Sequence, residues 1–222
     1  MCGRYALAQD HEALKIRFGF ESESSVVLSP SYNIAPSQKS PVITKNESKE
    51  LHFMKWGLIP HWAKDASIGF KLINARSETV AEKPSFRDAF KKKRCLIPAT
   101  GFYEWQKQED SKIKLPFYIH TSDNNIFSLA GLWSLWKDPD GGEFHTYTIL
   151  TTEPNKLMEP IHKRMPVILR TEDEDKWLDE SADKSSLQNL FDPYPANLMT
   201  AHPVSTFVNS PVNNTADCIA EV

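Results

Sequence analysis

Runs of strand-forming residues, separated by Pro, Gly, Asn and Asp, constrain the fold of this chain more than any other feature of its sequence. The runs are SPVITK, ELHFMKWGL, RCLIPA, FYEWQK, LPFYIHT, IFSLAGLWSLW, FHTYTILTT and MPVILR. We therefore predict a mainly antiparallel sheet, strongly bent or closed into an open barrel.

Helical patterns are fewer and are expected at the periphery. DHEALKIRF places Leu14 and Phe18 on one face after an Asp10 cap, and SFRDAFKKK has Ser85 and Asp88 in a capping-box relation. Two short helices are predicted in TEDEDKWLDE and KSSLQNLF, and GGEF at 141–144 is predicted to be a hairpin turn.

No repeat, long linker or low-complexity tract interrupts the chain, and its 222 residues fit one well-buried domain. These observations together predict a single α+β domain over residues 1–222, with a few peripheral helices.

Charge and composition exclude several classes of protein. The net charge of -3 excludes a generally basic protein, so any surface for nucleic acid must be a local patch. The sequence has no signal-peptide pattern and no apolar run long enough to span a bilayer, so a cytoplasmic location without membrane contact is expected. Cys2, Cys95 and Cys218 are far apart and lack CxxC spacing, so we predict free thiols, no zinc or other metal site, and no cofactor.

The chain begins MCGRYA, which places a cysteine directly after the initiator methionine. Removal of Met1 would give Cys2 a free α-amine beside its thiol. An α-amine has a pKa of about 7.7–8.0, so it is partly neutral at physiological pH and can attack an aldehyde to give a Schiff base. The neighbouring sulfur can then close a five-membered thiazolidine. Two other interpretations stay open: a buried cysteine that begins a strand, and the N-terminal nucleophile of class II glutamine amidotransferases, which also begin Met-Cys-Gly.

Two strand-like stretches carry polar residues with a potential chemical role. KLINARSET brings Asn74, Arg76 and Glu78 to alternate positions, where an extended chain would project all three from one face to orient a sugar and a phosphate. The alternative is a turn at Asn74 and a surface ion pair between Arg76 and Glu78. GFYEW holds Glu104 among aromatic residues, where desolvation would raise its pKa and suit it to general acid catalysis, unless it is a solvated edge-strand residue.

Turn-like segments carry the remaining candidates. His162 in EPIHKRMPV precedes two cations that would lower its pKa and attract phosphate. GLIPHWAKD supplies His61 and Trp62 beside Lys64, an interleaving of aromatics and cations that suits a groove for single-stranded nucleic acid. The run KKKR at 91–94 is more typical of a solvated helix end.

Seven stretches together resemble the SRAP (SOS-response-associated peptidase-like) family. They are MCGRY, YNIAP, WGLIPHW, NARSET, GFYEW, IHKRMPV and AHPVS, and they follow the family order over nearly the whole chain. The resemblance implies the family fold and a protein of the DNA damage response that acts on abasic sites in single-stranded DNA. It also implies a covalent DNA–protein cross-link that shields the lesion. Separately, we expect a cytoplasmic monomer that associates with the nucleoid when it is bound to DNA.

Four catalytic roles follow from this resemblance. Cys2 would be the nucleophile and the cross-linked residue, and Asn74 would orient the sugar and the α-amine. Glu104 would act as general acid and base in lyase-like chemistry and would also allow reversal. His162 would assist proton transfer at the sugar. Self-removal of a leader, which gives the family its peptidase name, would use Cys2, Glu104 and His162.

The resemblance also implies a path for DNA. Arg4 and Arg76 would hold phosphates that flank the lesion, and His61 and Trp62 would line the channel. The loop KPSFRD corresponds to a family segment that wedges beside the lesion, but its match is weaker, and Phe86 is not assigned that role. Two alternative functions are a Cys2-dependent thiol peptidase or amidohydrolase, and a non-covalent module for single-stranded or modified DNA.

Overall fold

Strands are the most abundant regular element in a computed structural model that describes residues 2–20, 28–109 and 113–222. The strands of this part are β1 (Tyr5–Leu7), β2 (Ser31–Ile34), β3 (Lys39–Lys45), β4 (Lys49–Trp56), β5 (Asn74–Arg76), β6 (Arg94–Ala99), β7 (Gly101–Gln106), β8 (Leu115–Thr121), β9 (Phe127–Lys137), β10 (Glu143–Thr152), β11 (Met165–Pro166), β12 (Ile168–Leu169) and β13 (Met199–Pro203). The α-helices are α1 (His11–Phe18), α2 (Arg87–Lys92), α3 (Glu174–Leu178) and α4 (Lys184–Gln188). Short 3₁₀ helices at Ala66–Lys71, Thr171–Asp173, Asn189–Phe191, Ala196–Leu198, Thr206–Asn209 and Ala216–Cys218 complete the described elements.

These strands form two sheets. The five-stranded sheet has the order β13-β8-β7-β1-β2, and every pairing in it is antiparallel. The eight-stranded sheet has the order β11-β10-β4-β3-β6-β9-β12, with β5 added beside β10. Because β9 also pairs with β10, the strands β10, β4, β3, β6 and β9 close into a barrel. The α+β class and the bent, mainly antiparallel sheet are thus confirmed, with parallel pairing only where β10 meets β4 and β5 among the described strands.

Local expectations are mostly confirmed. Asp10 caps α1 by accepting a hydrogen bond from the Ala13 amide at 2.9 Å, and the strand-like runs up to FHTYTILTT all contain strands. MPVILR is divided into two short strands because Val167 changes partners: it donates to Leu150 of β10 and accepts from Ala130 of β9. The predicted capping box in SFRDAFKKK is wrong, since α2 begins at Arg87, after Phe86, without a side-chain cap.

Three buried hydroxyl groups connect the two sheets. Tyr5 of β1 lies 2.6 Å from Ser40 of β3 and 2.9 Å from Tyr147 of β10, and Ser40 lies 2.7 Å from Tyr147. Trp56 packs its ring against both tyrosines. Each hydroxyl can donate to one neighbour and accept from the other, so the triangle satisfies all three groups without water. It fixes the start of β1, and hence the N-terminal residues, against the barrel.

A C-terminal segment covers the outer face of the five-stranded sheet. Asn33 of β2 donates to the backbone carbonyls of Val208, Ser210 and Asn213 at 2.7–3.1 Å and accepts a 2.7 Å hydrogen bond from Arg4. One buried amide therefore connects β2, the residue before β1 and the loop around 208–213. Across the described ranges, no helix combines the length and the apolar character needed to cross a membrane.

Candidate active site

Cys2 lies close to two polar residues from other parts of the chain, the half-buried Asn74 and the buried Glu104. Cys2 is completely buried, and the side-chain amide of Asn74 donates to its carbonyl oxygen at 2.8 Å. Asn74 is held in place because it begins β5, which pairs in parallel with the C-terminal part of β10. The amide oxygen of Asn74 is buried and has no hydrogen-bond partner among the described residues. An unsatisfied buried acceptor is costly, so this oxygen is suited to receive a proton donor from a ligand.

Glu104 provides a buried carboxyl group close to Cys2. It lies on β7, where the alternation of side chains puts Glu104 and Phe102 on one face and Tyr103 and Trp105 on the other. Burial raises the pKa of Glu104 to about 7, against an ordinary value of 4.5. The group can therefore give up or take up a proton near neutral pH, which is the property expected of a general acid that later acts as a base.

His162 faces Glu104 from another segment. The imidazole Nδ1 lies 3.8 Å from Oε1 of Glu104, and burial lowers the pKa of His162 below its usual value. The turn that carries His162 is fixed by two hydrogen bonds, from the His162 amide to Met158 at 2.8 Å and from the Gln106 side chain to the Pro160 carbonyl at 3.0 Å. His162 is thus a neutral ring near neutral pH, within reach of the carboxyl group.

The thiol of Cys2 is protonated in this environment. Burial raises its pKa well above the ordinary value, and the negative charge of Glu104 raises it further. A standing thiolate, which a cysteine hydrolase needs as its nucleophile, is therefore disfavoured here. The four residues predicted as catalytic, Cys2, Asn74, Glu104 and His162, are brought together from four separate parts of the chain.

The two arginines predicted to bind phosphate have different surroundings. Arg76 is exposed at the end of β5. Arg4 is partly buried on the outer side of the five-stranded sheet. Its Nη1 donates to the Asn33 side chain at 2.7 Å and to the Val208 carbonyl at 2.9 Å. Only Nη2, with a 3.5 Å contact to the Asn209 carbonyl, lies at the surface. Contact of either arginine with phosphate stays a prediction.

His61 and Trp62 lie on an exposed loop whose base is rigid. Gly57 has a φ of +122° and packs so tightly on Gly69 that a Cβ there would lie 2.7 Å from the Gly69 carbonyl oxygen. Trp136 donates to the Ala63 carbonyl at 2.7 Å and fixes the middle of the loop. Trp62 remains 49 % exposed, although the loop that carries it is held by the Gly57–Gly69 contact and by the hydrogen bond from Trp136.

Phe70 is a surface aromatic residue that the sequence analysis missed. It is 68 % exposed in the 3₁₀ helix Ala66–Lys71, which ends the same loop that carries Trp62. Phe86, in the loop matched to the family's wedge, is instead 4 % exposed and part of the core. The stretch around Phe70, ASIGFKLI, is mostly apolar, so the sequence carries no signal that this ring is exposed.

The described residues offer no obvious place for a metal ion. No group of three or more His, Cys, Asp or Glu side chains converges anywhere in the described ranges. Cys2, Cys95 and Cys218 are free and buried, so none of them forms a disulfide.

Comparison with known proteins gives consistent matches along the chain. The model of the family "SOS response associated peptidase (SRAP)" matches residues 1–211. The abasic site processing protein YoqW of Bacillus subtilis is 47 % identical over 99 % of both chains. The abasic site processing protein HMCES of Xenopus tropicalis is 36 % identical over 87 % of this chain and 66 % of its own length. A crystal structure of a protein from Bacteroides thetaiotaomicron superposes with a TM-score of 0.91 at 33 % identity, with 100 % of both chains covered.

Proposed function

This chain belongs to the SOS response associated peptidase (SRAP) family, and from this premise we propose that it processes abasic sites in single-stranded DNA through a covalent bond to Cys2. Abasic-site processing is the activity for which its relatives from Bacillus subtilis and Xenopus tropicalis are named. The matched length supports carrying this activity over, because the chain and YoqW are similar over 99 % of each.

The proposed reaction needs both functional groups of Cys2. With Met1 removed, the α-amine attacks the aldehyde carbon of the ring-opened deoxyribose, and the resulting carbinolamine loses one water to give an imine. The sulfur then attacks the imine carbon, and the thiol proton passes to the nitrogen. The product is a thiazolidine, and the net reaction releases one water. The raised pKa of the Cys2 thiol supports this order, because the amine can react while the sulfur is still protonated.

Glu104 and His162 supply the proton transfers in this proposal. A protonated Glu104 gives its proton to the ring oxygen of the deoxyribose, which opens the sugar and exposes the aldehyde; as a carboxylate it takes up a proton in a later step. A neutral His162 receives or returns a proton at the sugar. The amide oxygen of Asn74 accepts a hydrogen bond from the α-amine or a sugar hydroxyl, while its nitrogen holds the Cys2 carbonyl.

The observation that carries the proposal is the buried carboxyl group of Glu104, with a pKa of about 7, beside the buried thiol of Cys2. A carboxyl group with a pKa near neutrality can both donate and accept a proton at neutral pH, and the Schiff-base route needs it first as an acid and later as a base. Cys2, Glu104 and His162 would also be available to cleave a peptide bond in front of Cys2, which is the self-removal of a leader expected from the resemblance.

Exposed aromatic and cationic groups of the described residues suit a single strand of DNA. Trp62 and Phe70 offer ring faces on which bases can stack, and the exposed His61 precedes Trp62 in the chain. Arg76 and the exposed Nη2 of Arg4 are proposed to hold phosphates that flank the lesion. Stacking and phosphate contacts recognise a strand without reading its sequence, as expected for a protein that recognises a lesion.

A denaturing gel tests the covalent step. Protein shown by mass to lack Met1 is mixed with a single-stranded oligonucleotide that holds one abasic site, beside the Cys2→Ala variant and an intact oligonucleotide. A heat-stable shifted band only for wild type with the abasic strand is the expected result. Equal bands for Cys2→Ala, or no band for the processed wild type, would contradict the proposal.

A further inference from the structure

A bidentate ion pair between Glu78 and Arg164 lies beside the site, and the proposed reaction does not use it. Nη2 of Arg164 donates to Oε2 of Glu78 at 3.0 Å, and Nη1 of Arg164 contacts Oε1. The hydrogen bond from Arg164 holds the pKa of Glu78 below its usual value. The pair joins the end of the NARSET motif to the IHKRMPV motif, which are 86 residues apart in the chain.

The pair bridges the end of β10. Glu78 follows β5 and Arg164 precedes β11, and these two strands pair with the same end of β10. The carbonyl oxygen of Thr151 on β10 accepts from the Ser77 amide at 2.9 Å and also from Nη2 of Arg164. The Thr151 carbonyl oxygen therefore accepts one hydrogen bond from the segment after β5 and one from the segment before β11. The Glu78–Arg164 ion pair joins the same two segments.

Each side of this bridge carries one part of the candidate site. On one side, β5 begins with Asn74, which holds the carbonyl group of Cys2. On the other side, the two residues before Arg164 lead to His162. The Glu78–Arg164 pair thus fixes the separation between the segment that holds the nucleophile and the segment that carries the imidazole.

The backbone of Arg164 can serve both protonation states of His162. Nδ1 of the ring lies 3.1 Å from the Arg164 amide nitrogen, which can donate to a neutral ring. It also lies 3.1 Å from the Arg164 carbonyl oxygen, to which a protonated ring can donate. A histidine that moves protons needs a partner in both states, and in the neutral state the amide donor leaves the proton on Nε2.

Ion pairs between exposed side chains contribute little to the free energy of folding, but in this pair only Glu78 is largely exposed. The side chain of Arg164 is 16 % exposed, whereas that of Glu78 is 53 % exposed. Nε of Arg164 is buried without a hydrogen-bond partner among the described residues. The Arg164 side chain therefore depends on Glu78 and Thr151 for its position, and loss of the carboxylate leaves a poorly compensated charge.

We propose that Glu78 is a positioning residue for the reaction: through Arg164 it holds the backbone that orients His162 opposite Asn74. This inference rests on the proposed function for its effect on rate, and on the geometry alone for its effect on His162. Glu78 contacts neither the thiol of Cys2 nor the carboxyl group of Glu104, so its proposed role is indirect.

The test compares Glu78→Gln with Glu143→Gln, which removes the same charge from an exposed ion pair with Lys137 on the β9–β10 hairpin. The first readout is the single-turnover rate of cross-linking at saturating abasic oligonucleotide, with binding of an intact oligonucleotide as the affinity control. The second readout is the ¹⁵N spectrum of His162 against pH without DNA, assigned with a His162→Gln variant. Arg164→Lys, which keeps the charge but cannot bind in a bidentate way, is a second variant.

We expect Glu78→Gln and Arg164→Lys to slow cross-linking about tenfold or more and to change the tautomer and titration midpoint of His162. Affinity of Glu78→Gln for the intact strand should stay within about twofold, and Glu143→Gln should match wild type in every readout. An unchanged His162 spectrum in the folded variants would overturn the inference, as would a changed spectrum with an unchanged rate. If wild type itself forms no cross-link, the proposed function fails, and the His162 spectra alone then decide whether Glu78 positions the ring.

Discussion

The side chain of Asn74 donates a 2.8 Å hydrogen bond to the carbonyl oxygen of Cys2, across 72 residues of sequence. Asn74 begins β5, the strand inserted beside β10, so the N-terminal residues are attached to the barrel through this one amide as well as through Tyr5. Its nitrogen is committed to Cys2, while its oxygen is buried and has no partner among the described residues. One side chain can thus hold Cys2, the proposed nucleophile, and accept a hydrogen bond from a substrate at the same time.

Asn74→Ala should slow cross-linking strongly while leaving the protein folded. The change removes the hydrogen bond that fixes Cys2, and each ~1.4 kcal/mol of lost transition-state stabilisation slows a reaction about tenfold. A single-turnover time course at saturating abasic oligonucleotide measures the effect. Asn46→Ala, in an exposed turn, is the matched control. Equal rates for the two variants would remove Asn74 from the site.

Burial of Glu104 should make stability depend on pH. The folded pKa of about 7 lies above the ordinary value of 4.5, so between these values the folded protein binds a proton that the unfolded chain has released. The contribution of this group to the free energy of unfolding is therefore fully present below pH 4.5 and decreases as pH rises to about 7.

Glu104→Gln removes this dependence, so the variant should gain stability relative to wild type as pH rises through that window and should keep a constant difference above it. Urea unfolding at a series of pH values provides the measurement. The exposed Glu47→Gln change, which also replaces a glutamate by its amide, is the control. A flat difference for Glu104→Gln would show that the carboxyl group has an ordinary pKa in the folded protein.

Most of the fold was predictable because the strand-like runs are long and their periodicity is clear. The exceptions depend on tertiary contacts. Val167 interrupts MPVILR because it bonds to strands on both sides, and α2 begins at Arg87 without the predicted cap. Closure of the barrel through the β9–β10 and β6–β9 pairs was left open, since composition alone does not determine which strand edges meet.

The residues of the candidate site were predictable one motif at a time, but their relations were not. Glu78 illustrates the limit, because its alternation with Arg76 suggested a local ion pair and the structure gives it a distant partner, Arg164. Phe70 was missed because an exposed aromatic residue cannot be distinguished from a core residue without knowing which side of the chain is buried. The contacts of Arg4 with Asn33 and with the Val208 carbonyl were not predictable, because both partners come from distant parts of the chain.

Tyr147→Phe should lower the stability of the protein through the hydroxyl triangle. The change leaves Tyr5 and Ser40 with one hydrogen bond fewer each in a buried place, which costs roughly 1–3 kcal/mol of the free energy of unfolding. Urea unfolding followed by tryptophan fluorescence measures the loss. Tyr194→Phe, outside the triangle, should change stability by less than about 0.5 kcal/mol. A neutral Tyr147→Phe would mean that the three hydroxyls do not form a closed network.

Trp62→Ala and Phe70→Ala should weaken DNA binding without discriminating between intact and abasic strands. Both rings are exposed on one rigid loop, and loss of a stacked base costs roughly 1–3 kcal/mol. Fluorescence anisotropy with the two oligonucleotides gives the affinities, and Ile16→Ala, an exposed apolar residue on α1, is the control. If either change weakens only the abasic complex, that ring contacts the lesion rather than its neighbours.

Arg76→Gln should reduce the salt dependence of DNA binding. Each phosphate contact with a single strand contributes about 0.7 to the slope of log K against log salt, since neutralising the phosphate releases a counterion. Arg76 is exposed beside Asn74, so a strand that places its sugar against Asn74 brings a flanking phosphate within reach of the guanidinium. We therefore expect the slope for an intact oligonucleotide to become less steep by about 0.7, with weaker binding at low salt and a smaller difference at high salt. Lys137→Gln removes one positive charge from the β9–β10 hairpin and should leave the slope unchanged. A slope for Arg76→Gln equal to that of wild type would mean that the strand passes the site without a phosphate contact at Arg76.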